Sequence, residues 1–206
     1  MAERPMLMSA PMVRALLAGT KTQTRRAVKP QPRILAGELL CWKDDALTDD
    51  QMAVRCPYGQ PGDRLWVREA FMHEPADYCW EASVSIPCRP ASTVYRADFH
   101  ESQPGEGWKP SIHMPRSLSR ILLEVTAVRV EQLQEISEAD AKAEGAECLF
   151  SPTCSAADRE LLDIPLMEDA SPFRNGYALL WESINGAGSW KANPWVWVVE
   201  FKRVTP

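Results

Sequence analysis

The residues of this chain best suited to chemistry stand together in Gly19-Thr20-Lys21-Thr22-Gln23-Thr24-Arg25-Arg26. Three hydroxyls, one lysine and two arginines occur there without a carboxylate. Such a segment suits an anionic or polar ligand better than a core, because it offers hydroxyl donors, a mobile ammonium and two planar guanidiniums. A hydroxyl is a weak nucleophile at neutral pH and needs a base. Lysine serves as that base when burial or a neighbouring cation lowers its pKa, and Arg25 and Arg26 are close in sequence. Thr24 and Lys21 therefore read as nucleophile and base, or Lys21 polarises a carbonyl oxygen. Positions 21 and 24 point to opposite faces of a regular strand, so the pair converges only in a loop or bulge. The alternative is that the threonines cap turns and Lys21 is solvated.

A second group of candidates surrounds two tryptophans. The strand-like run Arg64-Leu65-Trp66-Val67-Arg68 puts Leu65 and Val67 on one face and Arg64, Trp66 and Arg68 on the other. Trp108 lies in a polar stretch near Lys109, His113 and Arg116. Either tryptophan is placed to stack a base, or equally to pack at a rim. His113, Arg116, Ser119 and Arg120 precede the strongest strand signal and are expected to form a second wall of the cleft, in reach of phosphate or a carbonyl. Most other tryptophans read as core. Trp195 and Trp197 share a strand face with Val199 and Phe201, and Trp181 sits in a helix with Leu179, Leu180 and Ile184.

The positive charge is local. Net charge is −5, yet no Asp or Glu occurs between Arg4 and Gly37, where seven Lys and Arg fall, while Glu131 to Ala170 is mostly acidic. Screening limits distant charges to about 10 Å, so an acidic protein still holds an anion at a basic patch. At 206 residues, with 45% hydrophobic and 25% charged content, the chain reads as one globular domain, 1–206. No apolar run approaches membrane-spanning length and no signal peptide is evident, so a cytoplasmic protein is expected. The six cysteines form no CxxC pair and the three histidines fall at no recognised metal spacing. Free thiols and no metal are the expectation.

The elements that must position these residues follow from periodicity and punctuation. Arg4–Met8 reads as a strand, and Ala10–Ala18 as a helix capped by Ser9, with Pro11 in its first turn and Gly19 at its end. Arg64–Arg68, Arg120–Val130 and Trp195–Val204 read as strands. Ser137-Glu138-Ala139-Asp140 opens a short helix that Gly145 closes, and Phe173–Ile184 is a longer helix. Glu144 falls in the last turn of the short helix, where a carboxylate opposes the helix dipole at a cost of about 0.3–1 kcal/mol. Such a residue suits a general base or water activator. Residues 27–60, 70–118 and 148–170 read as loop-rich insertions. Short strands out of regular alternation with long helices predict an α+β fold, a small twisted barrel with helices at its ends.

Read in order, these blocks resemble a known superfamily. Gly19, Lys21, Thr22, Thr24 and Arg26 follow a short helix. Gly62 and Asp63 turn into a strand with Leu65 and Val67, a helix ends Ala141 to Gly145, and an aromatic strand closes the series. This is similar to the ASCH domain, a relative of the PUA fold. The stretches Trp108 to Arg116 and Asn193 to Trp197 resemble longer phage and prophage members. The resemblance implies a PUA-like β-barrel whose basic cleft binds a modified nucleoside or single-stranded nucleic acid. Compact members include N(4)-acetylcytidine amidohydrolases, whose catalytic lysine, threonine and glutamate fall on Lys21, Thr24 and Glu144. It implies a reaction without metal or cofactor, with Arg25, Arg26, Arg64, Trp66, Arg68, Trp108, His113, Arg116 and Arg120 as candidate substrate contacts. The other readings are a non-catalytic RNA- or DNA-binding module of phage origin and a ribonuclease.

Overall fold

The final strand organises the fold because it is apolar on both faces. Trp197, Val199 and Phe201 point one way and Val196 and Val198 the other, and all five are buried. A strand buried on both sides belongs inside a sheet covered on both faces. The computed structural model describes residues 2–34, 40–43, 45–74, 77–81, 84–89, 92–99, 107–146 and 171–204. In chain order its strands are β1 (Glu3–Leu7), β2 (Gln23–Ala27), β3 (Arg33–Ile34), β4 (Leu40–Trp42), β5 (Asp45–Leu47), β6 (Arg64–Arg68), β7 (Phe71–Glu74), β8 (Asp77–Glu81), β9 (Val84–Arg89), β10 (Ser92–Tyr95), β11 (Leu122–Gln132) and β12 (Trp195–Val204). The helices are α1 (Ala10–Leu17), α2 (Asp49–Ala53), α3 (Glu138–Ala143) and α4 (Pro172–Asn185).

A five-stranded sheet runs β1-β6-β11-β12-β2. β1 and β6 are parallel and the other pairs are antiparallel, with a register shift in β11 between Val125 and Ala127. One core joins Met6, Leu65, Leu123, Val125, Trp197, Val199 and Phe201 of the sheet to Val13 and Leu16 of α1 and Met52 of α2. The second joins Val196 and Val198 to Ala141 of α3 and Tyr177, Ala178 and Trp181 of α4. The architecture is mixed α+β, with several sheets and few helices. Among the described residues no closed barrel is found: β1 and β2 are the two edges of the large sheet. A side chain spans them instead of a ladder, for Arg26 Nη2 donates to the Leu7 carbonyl at 2.6 Å and approaches Met8 Sδ at 3.8 Å.

Two of the expected loop regions carry regular structure. Residues 27–60 hold the small sheet β3-β4-β5 and α2, which Thr48 and Gln51 close with a reciprocal capping box. Residues 70–118 hold the ribbons β7–β10 and β8–β9 and 3-10 turns at Ser111–His113 and Arg116–Leu118. Two-stranded ribbons bury no full face, so they leave no sustained apolar period to read. The expected insertion at 148–170 lies outside the described residues. Among the described residues no helix is long and apolar enough to cross a membrane.

Leu123 is fully buried near the start of β11, between β6 and β12. Leu123→Ala is expected to lower the unfolding free energy by about 2–5 kcal/mol in chemical denaturation. A loss below about 1 kcal/mol would mean that this site is not tightly packed.

Candidate active site

Two helix ends meet to place the site. α1 stops at Ala18, and the chain reverses through Gly19, whose φ is +75°. The amides of Thr20 and Lys21 then donate to the Ala15 carbonyl at 3.0 and 3.2 Å, and that of Thr22 to the Ala143 carbonyl of α3 at 2.8 Å. Lys21 thus lies in the connection before β2, outside the regular strand. α3 is capped by Ser137, which accepts from the Asp140 amide at 3.0 Å. It ends at Glu144 and reverses at Gly145, whose φ is +77°. A Cβ on Gly145 would lie 2.8 Å from Ala15 Cβ and 3.3 Å from Lys21 Cβ. Glycine is required twice there, for its positive φ and for the close approach of the two helix ends.

That approach sets Lys21 on Glu144. Lys21 Nζ donates to the Glu144 carbonyl and to its Oε2, both at 2.8 Å. Glu144 Oε1 accepts from Arg25 Nη1 at 3.2 Å. Arg25 Nη2 donates to Glu131 Oε1 at 2.6 Å and Asp140 Oδ2 at 3.2 Å, and its Nε to Glu131 Oε1 at 3.0 Å. Arg129 closes the network by donating to Glu131 at 2.9 Å and Asp140 at 3.0 Å. Lys21 and Glu144 are each 2% exposed and Arg25 3%. Burial pushes the Lys21 ammonium below its ordinary value of 10.5, and Arg26 and Arg25 push the same way against the opposing pull of Glu144. Burial raises the Asp140 carboxyl, but Arg129 and Arg25 outweigh it and hold that group low. Burial also pushes the Tyr177 phenol well above its usual value, so it stays protonated.

Thr24 is 1% exposed and shares with Glu144 the wall of a cavity of about 50 Å³. Met12, Arg25, Arg26, Tyr177 and Asn185 also line it. Lys21 thus holds the Glu144 carboxylate, and Thr24 lines the cavity that Glu144 also lines. The cavity lies along the outer edge of β2. The ladder to β12 uses Thr22 and Val28, so by alternation the backbone groups of Arg25 and Ala27 face that edge. A second cavity of about 390 Å³ adjoins it, sharing Arg26, Ala27 and Asn185.

The remaining expected contacts are set elsewhere. Arg25 lines the first cavity, but its three nitrogens are engaged by carboxylates, so it positions Glu144 rather than offering itself to a ligand. Arg64, Trp66, Arg68, Trp108, His113, Arg116 and Arg120 line neither cavity. Arg68 covers the Trp66 ring at 5.3 Å and donates to the Ile112 carbonyl. Trp108 meets Phe99 edge-on at 5.6 Å, with Arg96 at 5.5 Å from its ring. Arg116 pairs with Glu3, and Arg120 with Glu69 and Asp98. Of the expected second wall, Arg116 is thus tied to β1, Arg120 to Glu69 just past β6 and to Asp98, and Ser119 donates to the Val67 carbonyl of β6. Sequence reasoning missed Tyr177, Asn185, Glu131 and Asp140. Tyr177 and Trp181 are four apart on one face of α4, a signal that marks a buried face but not a polar tip. The carboxylates that hold Arg25 are more than a hundred residues away in sequence, beyond any local pattern.

Gly145→Ala is expected to destabilise the protein by about 1–3 kcal/mol through its positive φ, and more if Ala15 cannot retreat. Thermal unfolding reads this, and an unchanged transition would mean that the helix ends separate freely. The lowered Lys21 pKa has its own signature. The folded chain binds that proton less tightly than the unfolded chain, so the cost is full below the folded pKa and fades as pH rises toward 10.5. The stability of the native protein relative to Lys21→Met should therefore rise with pH in that window. A difference that falls with pH would mean that Glu144 holds the ammonium above its ordinary value.

Comparison with known proteins finds no matching family, no matching curated protein and no matching solved structure.

Proposed function

We propose that this chain is an ASCH-domain protein of the PUA-like superfamily that hydrolyses the acyl amide of a modified base such as N(4)-acetylcytidine. The observation that carries the reading is the buried Lys21–Glu144 pair, 2.8 Å apart, with Thr24 on the wall of the cavity that Glu144 lines. The family assignment is supported by the three residue types in their required settings: after a short helix, in the following strand, and at the end of a second short helix. The mixed α+β architecture agrees with it.

The chemistry then runs as acyl transfer to Thr24. Its Oγ attacks the acyl carbon while Lys21, whose neutral amine is favoured by burial, takes the hydroxyl proton. The C–N bond breaks, and Lys21 returns that proton to the exocyclic nitrogen, which leaves as the free amine. A water deprotonated by Glu144 attacks the resulting ester. The carboxylic acid departs and the proton restores the Thr24 hydroxyl. Arg25 holds Glu144 from its far oxygen and is a positioning residue. A cavity of about 50 Å³ has room for a small acyl group or a few waters but not for a base. The base occupies the adjoining cavity of about 390 Å³, which is within the range of small-molecule sites.

The test is turnover of N(4)-acetylcytidine by the purified protein, followed by the ultraviolet change to cytidine. Lys21→Ala and the near-isosteric Thr24→Val are expected to lower kcat by at least about 10²-fold. Full turnover in Lys21→Ala would remove the hydrolase reading. One observation favours a second reading, a binding module without chemistry: both described bonds of Lys21 Nζ go to Glu144, as in a purely structural ion pair. That reading expects no turnover, with nucleic-acid affinity that falls steeply with salt.

A further inference from the structure

The larger cavity differs in character from the site it adjoins. Arg26, Lys29, Lys43 and Arg55 line it together with Trp42, Tyr58 and Trp197, and among the described residues no carboxylate does. Trp42 and Trp197 meet edge to face with ring centres 5.8 Å apart, and Trp42 Nε1 donates to the Pro30 carbonyl at 2.9 Å, so the aromatic floor is fixed. Arg55 is held by Asp45. Lys29 and Lys43 are exposed and make no ion pair among the described residues, and Lys43 lies over the Trp42 ring at 4.3 Å. Arg26 is anchored through Nη2, while its buried Nε has no hydrogen-bond partner among the described residues.

A cation-lined cavity with an aromatic floor is chemically matched to a group that is both anionic and planar. Lysine and arginine supply charge-assisted bonds to phosphate, and aromatic faces stack a base. Five of the lining residues besides Trp42 come from the segment between β2 and β6: Lys29, Lys43, Arg55, Pro57 and Tyr58. The 27–60 insertion therefore extends the site with positive charge instead of closing it.

We infer that this cavity binds a nucleotide through its phosphate, so that the protein prefers phosphorylated nucleotides or nucleotides within a strand to free nucleosides. The inference rests on the proposed function for the identity of the base alone. Lys29 and Lys43 contact the phosphate, Arg26 stands between it and the small cavity, and Trp42 and Tyr58 flank the base. A mononucleotide and a single strand present the same phosphate chemistry.

Isothermal titration with cytidine, CMP and a short single-stranded oligocytidylate tests this on the intact protein. At low salt CMP is expected to bind at least about tenfold more tightly than cytidine. The Lys29→Ala, Lys43→Ala double variant should lose that advantage while its cytidine affinity and melting temperature stay unchanged. An oligonucleotide tighter than CMP identifies a strand as the source of the phosphate, and equal affinity identifies a mononucleotide. Equal binding of cytidine and CMP, absence of CMP binding, or an advantage that survives in the double variant would overturn the inference. All three ligands lack an acyl group, so failure of the hydrolase reading leaves this result readable by itself.

Discussion

The buried contact between Lys21 and Glu144 is the constraint on which the surrounding structure depends. An ammonium and a carboxylate removed from water cost several kcal/mol each before their attraction is counted. The protein meets that cost by building outward. Arg25 takes the second oxygen of Glu144, Glu131 and Asp140 take the guanidinium, and Arg129 takes the other oxygen of Glu131 and shares Asp140 Oδ2 with Arg25. These groups come from the end of α1, β2, β11 and α3, so one charge network fixes how four elements sit together. Gly145 is the steric counterpart, since the helix ends must nearly touch for the pair to form.

This network explains which parts of the molecule were legible in the sequence. β12, β6 and α4 were readable because their faces are apolar at a regular period. Lys21, Thr24 and Glu144 stood out through their types and their place beside Gly19 and Gly145. β2 was not readable. Its residues Gln23 to Ala27 are mostly polar, yet Gln23, Thr24 and Arg25 are buried. Hydrogen bonds and ion pairs bury them, and a hydrophobic pattern carries no trace of that. The basic set around Trp66 and Trp108 shows the mirror image. Charge was visible there, but Glu3, Glu69 and Asp98, the partners of Arg116 and Arg120, were not.

Two cavities of different lining stand where one cleft was expected. The smaller is walled by a hydroxyl, a carboxylate and a phenol that keeps its proton. The larger is walled by cations and aromatic rings. Arg26 and Asn185 belong to both. The segment between β2 and β6 thus lines the larger cavity without lining the smaller.

β2 has a further role that follows from its position at the margin of the large sheet. An unpaired strand margin invites another chain to add to the sheet, and proteins guard such margins with brevity and charge. β2 has five residues, two of them arginines, and α1 and α4 contribute Met12 and Tyr177 to the space beside it. The backbone left unpaired by β12 therefore opens into an enclosed pocket and not onto a neighbour. The same five residues that carry Thr24 and Arg25 thus also form the guarded margin of the large sheet.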